Sequence, residues 1–446
     1  MNAFYLPIAN QNVKTFNKHA LVDLIRFAGR GVARTDIAQE LGLTRASVTM
    51  IINDLIESGI ILEMESRSTR SGRPPVVLDI NPKCGLAAAI DMGATHIRVA
   101  VGDFSAQILE EAEEPFRIAD GPEQCLEEGD RALRSVLEKR GLKISDLSAI
   151  GLGVPGPVIT DTGMVMAPPI MPGWDRFPIR ATLENRWKVP LALNNDANFG
   201  AVGEWVFGAG RGEKNIAFIK VGSGIGAGLI INRQVFGGTT GSAGEIGHLT
   251  IDENGPLCSC GNHGCLEAFA GGHAIELQAK KLVESGKRTL LSDVNQAITV
   301  REVAEAARRG DLAAQEILHR SGTFIGIAVA GLINLVNPSV VIVGGGVAEV
   351  GDLLTAPIRK VVRERSLRAA EHAVKITTAM LGRRSTLIGA MVQATNIAIH
   401  NTIERKPAHH KAVYAKRKQM RGNHNQKEVV HPTEEIHELE TSNVIE

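Results

Sequence analysis

The chain has 446 residues, 44% of them hydrophobic, and its 49 basic residues balance 49 acidic ones, so the formal net charge is zero. This length predicts about three domains and more than one buried core. The neutral charge excludes a basic protein that coats nucleic acid over its whole surface, but it allows a local DNA-reading module.

The N-terminal stretch MNAFYLPIANQNVKTF lacks the charged start and apolar core of a secretory signal. The longest apolar run, residues 324–336, is too short to cross a bilayer. We therefore expect a cytoplasmic protein with no membrane partner, in which Cys84 and Cys125 are free reduced thiols.

Three short helices are predicted at the N-terminus. Apolar residues at helical spacing place the first over residues 18–30, and the second is expected to take Thr35 as its N-cap. After a turn at Gly42, Thr44 is expected to cap a third helix. Two short helices, a glycine turn and a third helix with a polar outer face form the arrangement that lays the last helix in the DNA major groove.

Two strands, over residues 60–65 and 76–80, are predicted to flank the loop SRSTRSGRP as a basic wing suited to phosphate or minor-groove contact. An alternative remains: the helices form only a small packing domain, and the arginines belong to a solvated loop. We favour DNA binding, with contacts from the third helix and the wing by Arg45, Ser47, Thr49, Arg67, Arg70 and Arg73.

Two segments have the character of phosphate-binding loops. The first is a strand, a turn and a second strand in GLAAAIDMGATHIRVAVGDF, where Asp91, Gly93 and Thr95 are candidate phosphate or magnesium contacts. The second is a glycine hairpin in KVGSGIGAGLII, with candidates Gly222, Gly224 and Gly226. Glycine hairpins are common, so the second signal is weak alone.

Asn195 and Asp196 follow a predicted strand and open a helix. The plain interpretation of Asp196 is a capping carboxylate at the helix N-terminus. The alternative is a general base that takes the proton from a sugar hydroxyl as it attacks a γ-phosphate. Both roles are compatible with one residue.

The segment from Gly244 to Gly272 contains His248, Cys258, Cys260 and Cys265. Three cysteines and one histidine are the ligand set of a closed structural zinc site, and Gly261 and Gly264 allow the turns it requires. A chance cluster of thiols is the alternative. A zinc enzyme is excluded by ligand count, because four protein ligands leave no position for water. Glu245 and Glu267 in this segment are candidates to line a pocket beside the metal.

The motifs GEIGHLTI and CSCGNHGCLE resemble the signature of the ROK family, which groups sugar kinases with sugar-responsive transcriptional repressors. The resemblance covers residues 15–400. It implies zinc ligation by His248 and the three cysteines. It also implies sugar contacts from Asn195, Asp196, Glu245, His248 and Glu267. It also implies that Asp196 would be the catalytic base of a kinase. Ala94 and His96 depart from the kinase pattern, which has a glycine and a lysine at these positions.

We therefore expect an α/β protein: a winged helix-turn-helix domain over residues 1–83, a two-lobed actin-like ATPase (ribonuclease H-like) sugar-kinase fold over 84–400, and a disordered polar tail over 401–446. The expected function is that of a transcriptional regulator, in the repressor class, with operator DNA and a sugar effector as partners. It would act as a homodimer or tetramer with structural zinc. The alternative is a glucokinase-like, ATP-dependent hexose kinase that requires ATP and magnesium, with or without DNA binding.

Overall fold

The computed structural model of the chain describes residues 13–29, 31–65 and 76–404. Its N-terminal head contains three helices followed by an antiparallel pair of strands. The bounds are α1 Val13–Phe27, α2 Arg34–Leu41, α3 Arg45–Glu57, β1 Ile61–Glu65 and β2 Val76–Ile80. The wing residues Arg67, Arg70 and Arg73 lie outside the described residues.

The turn between α2 and α3 follows from its sequence. Gly42 ends α2 in the left-handed conformation (φ 64°), and the Thr44 side chain caps α3 by accepting a hydrogen bond from the Ser47 amide. The Thr44 cap is confirmed. The predicted Thr35 cap is wrong, because α2 begins at Arg34 and Ala33 occupies the cap position. The cause is that Asp36 and Thr35 both suit a first turn, so composition does not fix the start.

The first lobe is built on a five-stranded sheet of order β5-β4-β3-β6-β9. Strands β3, β4 and β5 are antiparallel neighbours, whereas β6 and β9 continue the sheet in parallel. The bounds are β3 Leu86–Met92, β4 His96–Asp103, β5 Ile108–Pro115, α4 Pro122–Glu138, β6 Leu147–Val154, β7 Val158–Ile159, β8 Met164–Val165, α5 Ile179–Trp187 and β9 Leu191–Asn195.

The second lobe repeats this plan with a five-stranded sheet of order β12-β11-β10-β13-β14. Its bounds are β10 Ile216–Val221, β11 Ile225–Ile231, β12 Gln234–Val235, α7 Leu266–Ala270, α8 Gly272–Glu284, α9 Val300–Arg308, α10 Leu312–Val336, β13 Val340–Gly344, α11 Asp352–Arg365, α12 Arg368–Ala373 and β14 Lys375–Thr378. The matching strand orders identify a duplicated, two-lobed actin-like architecture, as expected.

Two helices join the lobes: α6 Asp196–Phe207 and α13 Ser385–Glu404. Helix α6 packs on β10 and β11 of the second lobe, α13 packs on β3 and β6 of the first, and the two helices pack against each other. Their backbones approach so closely that a Cβ at Gly389 would lie 1.7 Å from the Phe199 carbonyl oxygen. The lobes therefore meet at a tightly packed pair of helices.

Helix α10 is, among the described residues, the one helix long and apolar enough to cross a membrane by length and composition. It is longer than the apolar run seen in the sequence, but 61% of its most apolar window is buried inside the protein. It packs against α9 and α11 and contributes to the core on one face of the second sheet.

Candidate functional site

A cleft of about 810 Å³, including its part open to solvent, lies between the two lobes. The carboxyl end of β9, the start of α6, the β10–β11 turn and the segment after Gly244 all contribute to it. Its lining includes Gly93, Ala94, His96, Pro155, Gly156, Asn195, Asp196, Lys220, Gly222, Gly224, Gly226, Glu245, His248 and Glu267. The cleft thus gathers candidates that are far apart in sequence.

Asn195 and Asp196 stand at the N-terminus of α6. Asn195 is the N-cap, and its Oδ1 accepts hydrogen bonds from the amides of Ala197 (2.8 Å) and Asn198 (3.3 Å). Its Nδ2 donates to the carbonyl of Gly156 at 3.0 Å, which ties the helix to the bend after β6. The capping interpretation of Asp196 is therefore wrong: Asn195 caps the helix, and the Asp196 carboxylate faces the cleft.

Glu267, Glu245 and His248 line the opposite wall. Glu267 Oε2 accepts a hydrogen bond from the Ile225 amide at 2.9 Å, and a side chain at Gly224 would collide with this carboxylate. Glu245 lies three residues before His248, with 3.9 Å between its Oε2 and His248 Nε2. Burial, reinforced by the charges of Asp196 and Glu267, raises the pKa of Glu245 to about 7.

Lys220 reaches the cleft from β10. Its Nζ donates to Asp196 Oδ2 at 2.7 Å and lies 3.9 Å from Asp91 Oδ1. Burial opposes the charge of Lys220, but Asp196 and Asp91 outweigh it and raise the pKa of the ammonium above its ordinary value. Burial likewise opposes the charge of Asp91, yet Lys220, His96 and Arg98 hold the pKa of Asp91 below its usual range.

The four candidate metal ligands meet at one point. One donor atom each from His248, Cys258, Cys260 and Cys265 lies within 4.8 Å of all the others. His248 Nδ1 is 3.6 Å from Cys258 Sγ, and Cys260 Sγ is 3.7 Å from Cys265 Sγ. Tetrahedral ligands placed ~2.3 Å from a zinc ion stand roughly 3.8 Å apart, so this set fits structural zinc.

The turn at Gly264 makes this cluster possible. Gly264 has φ +67°, and a Cβ there would lie 1.6 Å from the carbonyl oxygen of Asp252. The Ile251 amide also donates to the Gly264 carbonyl at 2.8 Å, which closes the loop below the cluster. His248 Nδ1 faces the sulfur of Cys258, so its Nε2 lies on the side of Glu245 and the cleft.

Some of the candidate phosphate contacts line the cleft and others do not. Gly93, Gly222, Gly224 and Gly226 line the cleft. Asp91 lies beneath it in β3 with 2% of its surface exposed, and Thr95 is exposed at the β3–β4 turn. The His96 ring packs over this turn, since a Cβ at Gly93 would lie 2.6 Å from His96 Cε1.

The candidate DNA contacts on α3 differ in their exposure to solvent. Arg45 and Thr49 are exposed on the face that also carries Met50 and Asn53. Ser47 is half-buried, and its hydroxyl lies 2.9 Å from Thr44 Oγ1 within the helix cap.

Sequence reasoning missed Lys220 and the residues that bind the head to the body. Lys220 had a signal, because it is the one charge in the strand IAFIKV. Arg26 had a similar signal within the apolar segment LVDLIRF. Glu204 had the same signal, because it is the one charged residue of α6 after Asp196. Thr386, in the first turn of α13, had none.

Comparison with known proteins shows a match to the family model described as "ROK family" over residues 87–397. A putative xylose repressor from Caldicellulosiruptor sp. (strain Rt8B.4) is 31% identical over 385 residues, covering 85% of this chain and 95% of that protein. A crystal structure of a ROK family transcriptional regulator, a homolog of the E. coli MLC protein, superposes with TM-score 0.74 at 26% identity and covers 88% of this chain and 99% of that one. The structure of a ROK family glucokinase from Streptomyces griseus, in complex with glucose and AMPPNP, gives TM-score 0.64 at 32% identity, covering 70% and 100%.

Proposed function

The chain belongs to the ROK family, and we propose that it is a sugar-responsive transcriptional repressor in which the head binds operator DNA and the cleft binds the sugar. The observation that carries the proposal is the attachment of a helix-turn-helix head to α13 and α6, the second of which begins with the cleft residue Asp196. The similarity to a putative xylose repressor covers 85% of this chain, which is more than the two lobes alone contain.

The head offers a surface suited to a major groove. The exposed face of α3 carries Arg45, Thr49 and Asn53, which can donate to base edges and phosphates. We propose that the wing adds Arg67, Arg70 and Arg73 as phosphate contacts. As a homodimer, the protein would present two such helices to half-sites about one helical turn apart, so a small rotation of the heads would weaken binding.

Helix α1 connects the head to both lobes. Leu21 and Ile25 belong to the core that also contains Met391 and Ala398 of α13. Phe27 belongs to a second core, formed with α6 and the second-lobe sheet, and its ring packs edge-on against Phe207 at 5.7 Å. A change in the angle between the lobes therefore acts on α1 at two points.

Polar contacts reinforce this attachment. Arg26, 5% exposed, donates to Asn396 Oδ1 at 2.6 Å and also to Thr395 Oγ1. His19 Nε2 lies 3.1 Å from His400 Nδ1, and Arg211, in the loop after α6, donates to the Phe27 carbonyl. We infer that these contacts couple rotation of the head to movement of the lobes.

Helices α6 and α13 are also linked to the cleft residue Asp196. Thr386 in the first turn of α13 donates to the carbonyl of Asp196 at 3.0 Å. Glu204 of α6, fully buried, accepts hydrogen bonds from the amides of Ala209, Met380 and Leu381 and from the Ser385 hydroxyl. We propose that sugar binding at Asp196 shifts α6 and α13 together, and that α1 transmits the shift to the head.

The cleft has the chemistry expected for a polyhydroxylated ligand. We propose Asn195, Asp196, Glu245, His248 and Glu267 as its sugar contacts, because amide, carboxylate and imidazole groups together can donate to and accept from hydroxyls. We also propose zinc at His248, Cys258, Cys260 and Cys265. Bound there, zinc would fix the loop that carries Glu245 and Glu267; it would take no part in a reaction, since all four positions are filled.

The test is a titration of labelled DNA from upstream of the protein's own gene, without and with xylose, glucose and N-acetylglucosamine. We expect one sugar to lower operator affinity by about 5-fold or more. The variant Glu267→Ala should bind DNA normally and lose this response. If the wild-type affinity stays constant through a broad sugar panel, the proposal is wrong.

The kinase alternative has one specific observation in its favour, the carboxylate of Asp196 at the mouth of the cleft, where a sugar hydroxyl would bind. Release of ADP from ATP with hexoses distinguishes the two functions. Turnover that depends on the sugar and disappears in Asp196→Asn would support a bifunctional protein. We expect no such turnover.

A further inference from the structure

Lys220 is a charged residue in an otherwise apolar strand. Its neighbours on β10 are buried, yet its side chain runs to the cleft and keeps 16% of its surface exposed there. The ammonium lies 2.7 Å from Asp196 Oδ2 and 3.9 Å from Asp91 Oδ1. It therefore stands between two carboxylates, one on β3 of the first lobe and one at the start of α6.

The ammonium of Lys220 compensates the charge of the buried Asp91 carboxylate. Only 2% of Asp91 is exposed, and within the described part of the chain its Oδ1 accepts no hydrogen bond. Its other oxygen lies 3.9 Å from His96 Nε2. A buried carboxylate beside a second one requires a nearby positive charge, which either a bound cation or a side chain can supply.

We propose that Lys220 is the internal counter-ion of the cleft, replacing a divalent cation between Asp91 and Asp196 and selecting an uncharged sugar over a phosphorylated one. The proposal rests on the proposed function for the class of ligand. It also explains why we expect no phosphoryl transfer: the ammonium lies between Asp91 and Asp196, where a divalent cation would have to be held beside the nucleotide phosphates. One oxygen of Asp196 remains for a sugar hydroxyl.

The charges around the cleft favour an uncharged sugar over a phosphorylated one. Lys220 is already paired with two carboxylates, while Glu267 adds a further acidic group on the opposite wall. A phosphate group entering the cleft would meet this acidic wall and an ammonium that is already neutralised. Hydroxyl groups, in contrast, can donate to the same carboxylates without adding charge.

The first test measures binding of Mn²⁺ alone to the zinc-loaded, full-length protein by electron paramagnetic resonance. The variants are Lys220→Met and Lys220→Gln, since one of them can fail to fold, and the double variant Lys220→Met with Asp91→Asn. Lys280→Met is the matched control, because Lys280 is an exposed lysine paired with Glu284 on α8. Circular dichroism and zinc content identify the variants that fold.

We expect a folded Lys220 variant to bind one additional Mn²⁺ per chain, at least about tenfold more tightly than the wild type, because the two carboxylates lose their ammonium. The double variant should lose the additional ion, and Lys280→Met should match the wild type. The proposal is overturned if folded Lys220 variants bind no additional ion, or if the wild type binds Mn²⁺ equally well between the lobes.

The second test compares the affinities of wild-type protein for glucose and glucose 6-phosphate, and for N-acetylglucosamine and its 6-phosphate, by calorimetry in buffer without divalent cations. We expect each uncharged sugar that binds to do so more tightly than its phosphate. A phosphate that binds more tightly than its parent sugar overturns the selection. If no sugar binds, the proposed function fails, while the Mn²⁺ titration still decides the role of Lys220.

Discussion

Replacing Arg26 with methionine tests whether the effect of sugar binding reaches the head through the contact between Arg26 and α13. Arg26 is 5% exposed and donates to Asn396 Oδ1 and Thr395 Oγ1 across the boundary between head and body. Methionine fills a similar length of apolar space but donates no hydrogen bond. The Thr395 hydroxyl keeps its own bond to the Met391 carbonyl at 2.8 Å, so Asn396 loses more than Thr395.

Two opposing terms determine the stability change. Each hydrogen bond from a charged donor contributes about 1.5–3 kcal/mol. Against this, burial, partly offset by Asp23 and Asp103, lowers the pKa of Arg26 from 12.5 to about 10, an electrostatic cost of roughly 3 kcal/mol that the substitution removes. We therefore expect a small net loss, about 1–2 kcal/mol in the free energy of unfolding, and a protein that still folds.

The response to sugar should change far more than the stability. With the linkage broken, we expect sugar to alter operator affinity by less than about twofold, while the sugar affinity itself stays within about twofold of wild type. Fluorescence anisotropy with an operator fragment and calorimetry with the sugar measure the two quantities separately.

Arg134→Met is the matched control, because Arg134 forms an exposed ion pair with Asp130 within α4, away from the head. It should keep the full response. If Arg26→Met also keeps the full response, coupling through this contact is refuted, and the apolar attachment of α1 would have to transmit the change alone.

Three other predictions follow from the site and the interface. Removing zinc, or making Cys258→Ser, should release the loop that carries Glu245 and Glu267 and weaken sugar binding about 10–100-fold, as measured by calorimetry alongside metal analysis, whereas Cys125→Ser should leave both unchanged. Asn195→Ala removes the cap of α6 and the bond to Gly156, so thermal unfolding should show a loss of about 1–2 kcal/mol, and an unchanged melting temperature would contradict the assigned cap. Burial and the neighbouring His400, partly offset by Glu404, lower the pKa of His19 from 6.5 to about 4, so the unfolded chain binds the proton more readily and up to roughly 3 kcal/mol of stability should be lost as pH falls through that range. His19→Phe should flatten this part of the stability profile, and an unchanged profile would exclude His19 as its source.

Local signals predicted local structure well. The Thr44 cap, the glycine turn and the apolar stripe of α3 act within a few residues of one another, so the sequence determines them directly. The spacing of the cysteines likewise predicted a cluster that forms through short loops. Capping at α6 was assigned to Asp196 instead of Asn195 because either residue type suits the position.

Long-range pairing was the part that could not be predicted. Arg26 is separated by 370 residues from Asn396, and Glu204 by 181 residues from Ser385. Lys220 and Asp91 meet only because the two lobes face each other. A single sequence carries no information on which buried charges will be neighbours, so these contacts emerge only from the folded chain.

The attachment of α1 has a practical consequence for building chimeric regulators. A junction at residue 83 appears natural from the sequence, but it would strip Leu21, Ile25 and Phe27 from the two cores that they complete. The two lobes that bind the sugar form the sensor. A sensor transplanted without α1 should aggregate through its uncovered apolar surface. Grafts that retain α1 with the sensor and exchange only the DNA-reading helices after it should remain soluble and inducible.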